Sequence, residues 1–294
     1  MDKIIVITGP TGVGKTRLSI ELAKRLDGEI INADSMQIYK HLNIGTAKIK
    51  ENEKEGIPHH LFDIKELNED YSIYDYQIDA RKKIEEIKKR NKTVIMVGGT
   101  GLYLKSALYD YTFTKENLKR NYDNYSNLEL YQELLKIDEN IKIDSNNRRR
   151  LIRALDYYLE NDKSINSNNT GNNLLYDVIF IGLTTQRDKL YEIINNRVDK
   201  MISDGLLEEV KNLYDQNIKT KPLINGIGYK ELYKYFDKEI SLVESIDLIK
   251  QNSRRYAKRQ YTWFNNKMNI NWISVDFDNF QNTINESLNI IKRS

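Results

Sequence analysis

Gly9-Pro10-Thr11-Gly12-Val13-Gly14-Lys15-Thr16 has the spacing G-x-x-x-x-G-K-S/T of the ATP-binding proteins. Glycines in such a loop let backbone N–H groups turn inward around phosphate oxygens. A helix opening at its end adds a partial positive charge. In this reading Lys15 neutralises the outer phosphate and the Thr16 hydroxyl ligates Mg²⁺. The plainer alternative is a glycine-rich turn carrying a surface lysine. The loop suits a pyrophosphate or polyphosphate group, but it does not by itself imply ATP. Nucleotide hydrolysis also asks for an acid at the end of a later strand. Here the strand expected at 93–97 runs into Gly98-Gly99-Thr100-Gly101 with no acid.

A carboxylate stands elsewhere. Ligands of open parallel sheets lie at the carboxyl ends of the strands. Asp34, after the second expected strand, and Thr100, after the third, therefore face the same crevice as the loop. A carboxylate near bound phosphates is repelled unless it has a task, and one task is to take a proton from a nucleophile attacking beside the phosphate. Ser35-Met36-Gln37 follow with short and amide groups suited to a polar heterocycle. The competing reading is a turn-capping Asp-Ser pair. His59 and His60 are adjacent and point opposite ways on extended backbone, so they do not chelate one metal together; packing within a turn is expected of them. Two segments are basic with no acid between their charges. One is Arg148-Arg149-Arg150-Leu151-Ile152-Arg153. The other, near 248–275, holds Arg254, Arg255, Lys258 and Arg259 interleaved with Tyr256, Tyr261, Trp263 and Phe264. Arg255 and Arg259 share a helix face. Such mixtures serve looped or single-stranded RNA, and equally describe solvated helix faces with aromatic undersides.

The elements that must hold these groups can be read from the pattern. Residues 4–7, 29–33 and 93–97 are short apolar runs buried on both faces, alternating with helices expected at 16–26, 72–90 and 101–108. Strand character returns at 177–183 and near 272–275. This predicts an α/β fold: a P-loop NTPase-like parallel sheet core with helices on both faces, formed by 1–112 and 174–294. A helical insertion is expected over 113–173. With 39% apolar residues and a net charge of +3 among 294 residues, the chain can build a sizeable core and is neither a polybasic arm nor disordered. It has no cysteine, which excludes disulfides and thiolate chemistry. Met1-Asp2-Lys3 leads straight into a strand, so no signal peptide is expected. No apolar run approaches the roughly 18 residues needed to span a bilayer. A cytoplasmic monomer with no membrane partner is expected.

The motifs taken together resemble one family. GPTGVGKT, NADSMQIYKHLNIGTAK, GIPHHLFDI and VGGTGLYLKSAL are similar to successive blocks of the tRNA dimethylallyltransferases. NNRRRLIRALDYY, RVDKMISDGLLEEV, GIGYKEL and RRYAKRQYTWF continue the series in order. The resemblance implies transfer of a dimethylallyl group from dimethylallyl diphosphate to N6 of adenine 37 in the tRNA anticodon stem-loop, with Mg²⁺ present. It implies that Gly9 to Thr16 and Lys230 bind the diphosphate, that Asp34 is the general base, and that Thr100 positions that base. It further implies that Ser35, Met36, Gln37, Arg120, Arg149, Arg150, Arg153, Arg255 and Arg259 contact tRNA along with Asp34 and Thr100. The chain departs from the family pattern at Gly12, His41, Ile49 and Asn265, none of them at the reacting centre. A small-molecule kinase that uses Asp34 to hold an acceptor hydroxyl is the alternative reading, and a non-enzymatic RNA-binding protein is a third.

Overall fold

A computed structural model describes residues 3–113, 120–165 and 171–294. Strands β1 (Ile4–Thr8), β2 (Gly28–Asn32) and β4 (Thr93–Val97) are buried at every position, as expected of uniformly apolar strands covered on both faces. The two-residue β3 (His59–His60), β5 (Val178–Thr184) and β6 (Asn271–Ser274) complete a six-stranded sheet of order β3-β2-β4-β1-β5-β6. Every pairing is parallel. β2 begins one residue before the expected 29–33. The ladder nevertheless reaches Ala33, whose N–H donates to Val97 O at 2.8 Å.

Helix α1 (Lys15–Leu26) follows β1, and α2 (Ile73–Lys89) precedes β4. α3 (Gly101–Leu108) follows β4 directly. The alternate positions Ile5, Ile7, Ile30, Ile95 and Ile181 share one core with Leu18 and Leu22 of α1 and with Ile284 and Ile291 of α11 (Phe280–Arg293). The intervening positions Ile4, Val6, Ile31 and Met96 are equally buried; successive strand side chains point to opposite faces, and α2 packs against β2 and β4 there. Tyr76 of α2 is fully buried, donates to Asn32 O at 2.9 Å and stacks on Tyr103 at 3.9 Å. It is therefore core, while Tyr74 is half exposed.

The chain forms two compact units, 1–108 with 174–294, and 109–173. The first continues after β5 through α6 (Arg187–Ser203), α7 (Leu206–Asp215), α8 (Lys221–Asn225), α9 (Tyr229–Phe236) and the long α10 (Leu242–Lys267). Leu175 N donates to Leu108 O at 2.9 Å, so this unit loses and regains the chain at one place. Within the second unit, α4 (Asn127–Ile137) and α5 (Arg148–Asn161) enclose a small core of Leu130, Leu134, Ile141, Leu151 and Leu155. Both start on side-chain caps: Ser126 accepts from Glu129 N and Asn147 from Arg150 N. Among the described residues no helix is long and apolar enough to cross a membrane.

The loop after β4 is closely packed on both sides. A Cβ on Gly98 would lie 2.2 Å from the Ala33 backbone, and one on Gly101 would lie 2.1 Å from the Trp263 ring of α10. The glycines there serve close approach. Gly98→Ala is expected to destabilise the protein by about 2–3 kcal/mol, the usual size of an overpacked core site, seen as a lower urea midpoint. An unchanged midpoint would show that the β2 and β4 ends separate freely.

Candidate active site

A cavity of about 610 Å³ opens at the carboxyl ends of β1, β2 and β4, a volume that holds a small organic ligand. Thr11, Gly12, Gly14, Lys15, Thr16, Asp34, Ser35, Met36, Gln37, Lys230 and Arg259 line it. The Gly9–Thr16 loop turns by left-handed glycine conformations, with φ 129° at Gly9 and 93° at Gly14. A Cβ on Gly9 would also strike Leu183 O at 2.4 Å. α1 then starts with no side-chain cap and no acid in its first turn, which leaves its positive end open to an anion. Lys15 Nζ donates to Gly9 O at 3.0 Å and Pro10 O at 2.7 Å. Val13 is fully buried in the core, so it offers an anion only its backbone.

Arg197 of α6 also lines the cavity. Burial, then the nearby Arg197 charge, lowers the Lys15 pKa to about 7, with Asp34 pulling the other way. Burial likewise lowers Arg197, again opposed by Asp34. Two cations therefore share one enclosed space with a single close carboxylate, an arrangement that favours an anionic ligand. Thr16 offers one hydroxyl. Mg²⁺ commonly takes few protein ligands and fills its shell with water and phosphate oxygens, so one hydroxyl at the mouth of an anion loop fits it. No cluster of three or more His, Cys, Asp or Glu able to hold a metal occurs among the described residues.

Asp34 is held by its neighbours in sequence. Its N–H donates to Asn32 Oδ1 at 2.9 Å, and its Oδ1 accepts Met36 N at 3.0 Å. Asn32 Nδ2 bridges Asp34 O and Leu61 O at 3.0 and 2.9 Å. Thr100 is not among the lining residues. Its Oγ1 accepts Ser35 N at 3.1 Å and its N–H donates to Ala33 O at 3.1 Å. It also bonds Tyr256 of α10, whose own pKa is pushed up by burial and by Asp34. Thr100 thus ties the Asp34 turn to α10. Gln37 Nε2 donates to Thr46 O at 3.0 Å, fixing the next segment of wall.

The expected basic groups divide. Arg259 lines the cavity with its guanidinium 5.7 Å from the Tyr256 ring, whereas Arg255 is exposed and does not line it. Arg254 is occupied by Asn195 Oδ1 at 2.6 Å. Lys230 stands in the first turn of α9, 3.7 Å from Glu231, which is itself committed to Gly228 N and Asn252. In the second unit Arg148 is used internally, bonding Tyr122 O and Tyr125 O at 2.6 Å each. Arg149, Arg150 and Arg153 are exposed. Arg120 lies 3.6 Å from Asp156. The histidines separate as adjacent strand residues must: His60 bonds Glu29 at 2.6 Å, and His59 donates through Nδ1 to Ile57 O at 2.7 Å and reaches the cavity wall.

Arg197 and Gln260 are cavity residues to which the sequence reading gave no role, and Tyr256 reads there only as an aromatic interleaved in a basic, RNA-suited segment. Tyr256 and Gln260 lie four apart on α10 and so share a face, which by pattern alone reads as the underside of a basic helix. Arg197 opens the block RVDKMISDGLLEEV, but its spacing alone assigns it no task; the packing of α6 beside the loop brings it in.

A glycine-rich loop and a carboxylate share one cavity of a parallel α/β sheet, an arrangement suited to group transfer. The profile of the IPP transferase family matches residues 37–267. A tRNA dimethylallyltransferase of Anoxybacillus flavithermus is 50% identical over 300 residues, covering 99% of this chain and 96% of that protein. Among solved structures, the full-length tRNA isopentenylpyrophosphate transferase of Bacillus halodurans is 42% identical with a TM-score of 0.77, over 100% of this chain and 98% of that one. A eukaryotic dimethylallyltransferase acting on tRNA is 33% identical with a TM-score of 0.85, over 100% and 80%. The chain belongs to the IPP transferase family. The profile begins after the Gly9–Thr16 loop and Asp34.

A diphosphate against Lys15 favours the charged amine and raises its pKa above 7. Binding of inorganic pyrophosphate is therefore expected to take up a proton above neutral pH, and affinity to fall as pH rises, by up to about tenfold per unit until the raised pKa is reached. Calorimetry in buffers of different ionisation enthalpy reads the uptake, and Lys15→Met subtracts the titration of pyrophosphate itself. Equal uptake by Lys15→Met would place the anion away from Lys15.

Proposed function

We propose that this enzyme transfers a dimethylallyl group from dimethylallyl diphosphate to N6 of adenine 37 beside the tRNA anticodon, releasing pyrophosphate. The observation that carries this is the shared cavity: Asp34 lines the same space as Lys15, Thr16 and Arg197. The sheet and its glycine loop are read as a core of the P-loop type whose anion is a leaving group. Lys15, Arg197 and Lys230 would balance the charge that grows on the diphosphate as the allylic C–O bond breaks. Mg²⁺, held by the Thr16 hydroxyl, would supply further positive charge to the diphosphate oxygens. The new N–C bond makes the amine cationic, and Asp34 takes the proton it must lose.

The adenine must leave its stack to reach Asp34. Ser35, Met36 and Gln37 are proposed to meet it at the wall, with Arg259 and Arg255 on the neighbouring phosphates and Arg149, Arg150 and Arg153 of the insertion on the tRNA stem-loop. Arg120, beside Asp156, is proposed to join them. The kinase alternative is not favoured: the relatives are tRNA dimethylallyltransferases, and the β4 loop carries no acid.

Labelled dimethylallyl diphosphate and unmodified tRNA are expected to yield prenylated tRNA and pyrophosphate without ATP. ADP formed in proportion to tRNA would favour the kinase instead. Asp34→Asn keeps the shape but cannot accept a proton, so kcat and kcat/KM should fall together by about 10²–10⁴-fold with substrate binding largely kept. A variant with normal kcat and weakened tRNA affinity would make Asp34 a binding residue.

A further inference from the structure

The side-chain amide of Gln260 is 5% exposed, and the protein uses only one end of it. Nε2 donates to Gly99 O at 3.1 Å. A carbonyl only accepts, so the atom facing it must be the nitrogen and the amide has one orientation. Oε1 is buried and has no hydrogen-bond partner among the described residues. Native proteins seldom leave a buried acceptor unpaired without a use for it. Gln260 lines the same cavity as Asp34. Tyr256, one turn earlier on α10, bonds both Gln260 and Thr100 and feels the Asp34 charge. Gly99 is shaped for this contact, because a Cβ there would lie 2.1 Å from Gln260 Nε2.

We infer that Gln260 Oε1 accepts one hydrogen of the attacking amine while Asp34 accepts the other, which makes Gln260 a positioning and specificity residue for the target base. This rests on the adenine reading above. The exocyclic amine of adenine is coplanar with its ring, and both its hydrogens lie in that plane. Two acceptors in the plane hold both hydrogens and leave the face of the nitrogen turned to the allylic carbon. As the N–C bond forms, the C–O electron pair leaves with the diphosphate. Asp34 takes one proton, and the remaining N–H stays on Gln260. A 6-oxo purine presents an oxygen instead, so both protein acceptors are left unpaired and the base is rejected.

The test is binding, without prenyl donor, of anticodon stem-loops carrying adenine, purine or hypoxanthine at the target position. The wild-type protein is expected to prefer adenine over the other two by about tenfold or more. In Gln260→Met, of similar volume but without an acceptor, that preference should fall by about three- to tenfold. The preference is a ratio within one preparation, so partial unfolding does not change it. Asp34→Ala, which leaves Gln260 intact, should keep a preference of about three- to tenfold. An unchanged preference in Gln260→Met, no residual preference in Asp34→Ala, or equal binding of all three loops by the wild type each overturns the inference. Absence of prenyl transfer despite an intact adenine preference counts against the functional reading alone.

Discussion

The seating of α10 on the loop after β4 is the contact from which the rest of the cavity follows. Two glycines permit it and a third brings the ends of β2 and β4 together. Gly98 lies against the Ala33 backbone, Gly99 beneath Gln260 and Gly101 beneath Trp263, each at a separation no side chain allows. Between them Thr100 bonds the Asp34 turn on one side and Tyr256 on the other. The carboxyl ends of β2 and β4 and the inner face of α10 are thereby locked into one wall. A helix seated further out would leave the Asp34 turn without this tie.

The opposite wall is held by charge. Glu209 of α7 accepts N–H bonds from Asn43, Ile44 and Gly45 at 2.8 to 3.1 Å and the Tyr229 hydroxyl at 2.7 Å. Lys48, with its side chain almost wholly buried, bonds Tyr39 O and Asp63. These contacts hold a stretch with little regular structure, including Gly45, Thr46 and Ala47 of the lining. Backbone donors that no helix or strand satisfies find side-chain acceptors instead.

Lys15 and Arg197 are both displaced from their ordinary pKa by the enclosure that makes them useful. The two charges oppose each other across the cavity, and Lys15 bonds the carbonyls of its own loop. Such a pair of like charges favours an anion between them. The same enclosure strengthens any charge that grows on a leaving group, because little solvent is present to screen it.

The amino-acid sequence by itself determined the central strands, because runs such as Ile4 to Ile7 and Thr93 to Val97 are apolar on both faces and can only be interior to a covered sheet; the edge strand His59–His60 reads locally as a turn. It also determined the anion loop and the place of Asp34, since both depend on a few consecutive residues at strand ends. The absence of an acid after β4 was legible in the same way. Only the tertiary structure decided that Arg197, Tyr256 and Gln260 belong to the cavity, that Arg259 lines it while Arg255 does not, and that Thr100 acts as a tie. Apart from Thr100, those residues lie on α6 and α10, more than 90 positions from the loops they face. Helical periodicity reports that a residue is on an inner face. Which strand end that face meets is fixed by long-range packing, and no local spacing encodes it.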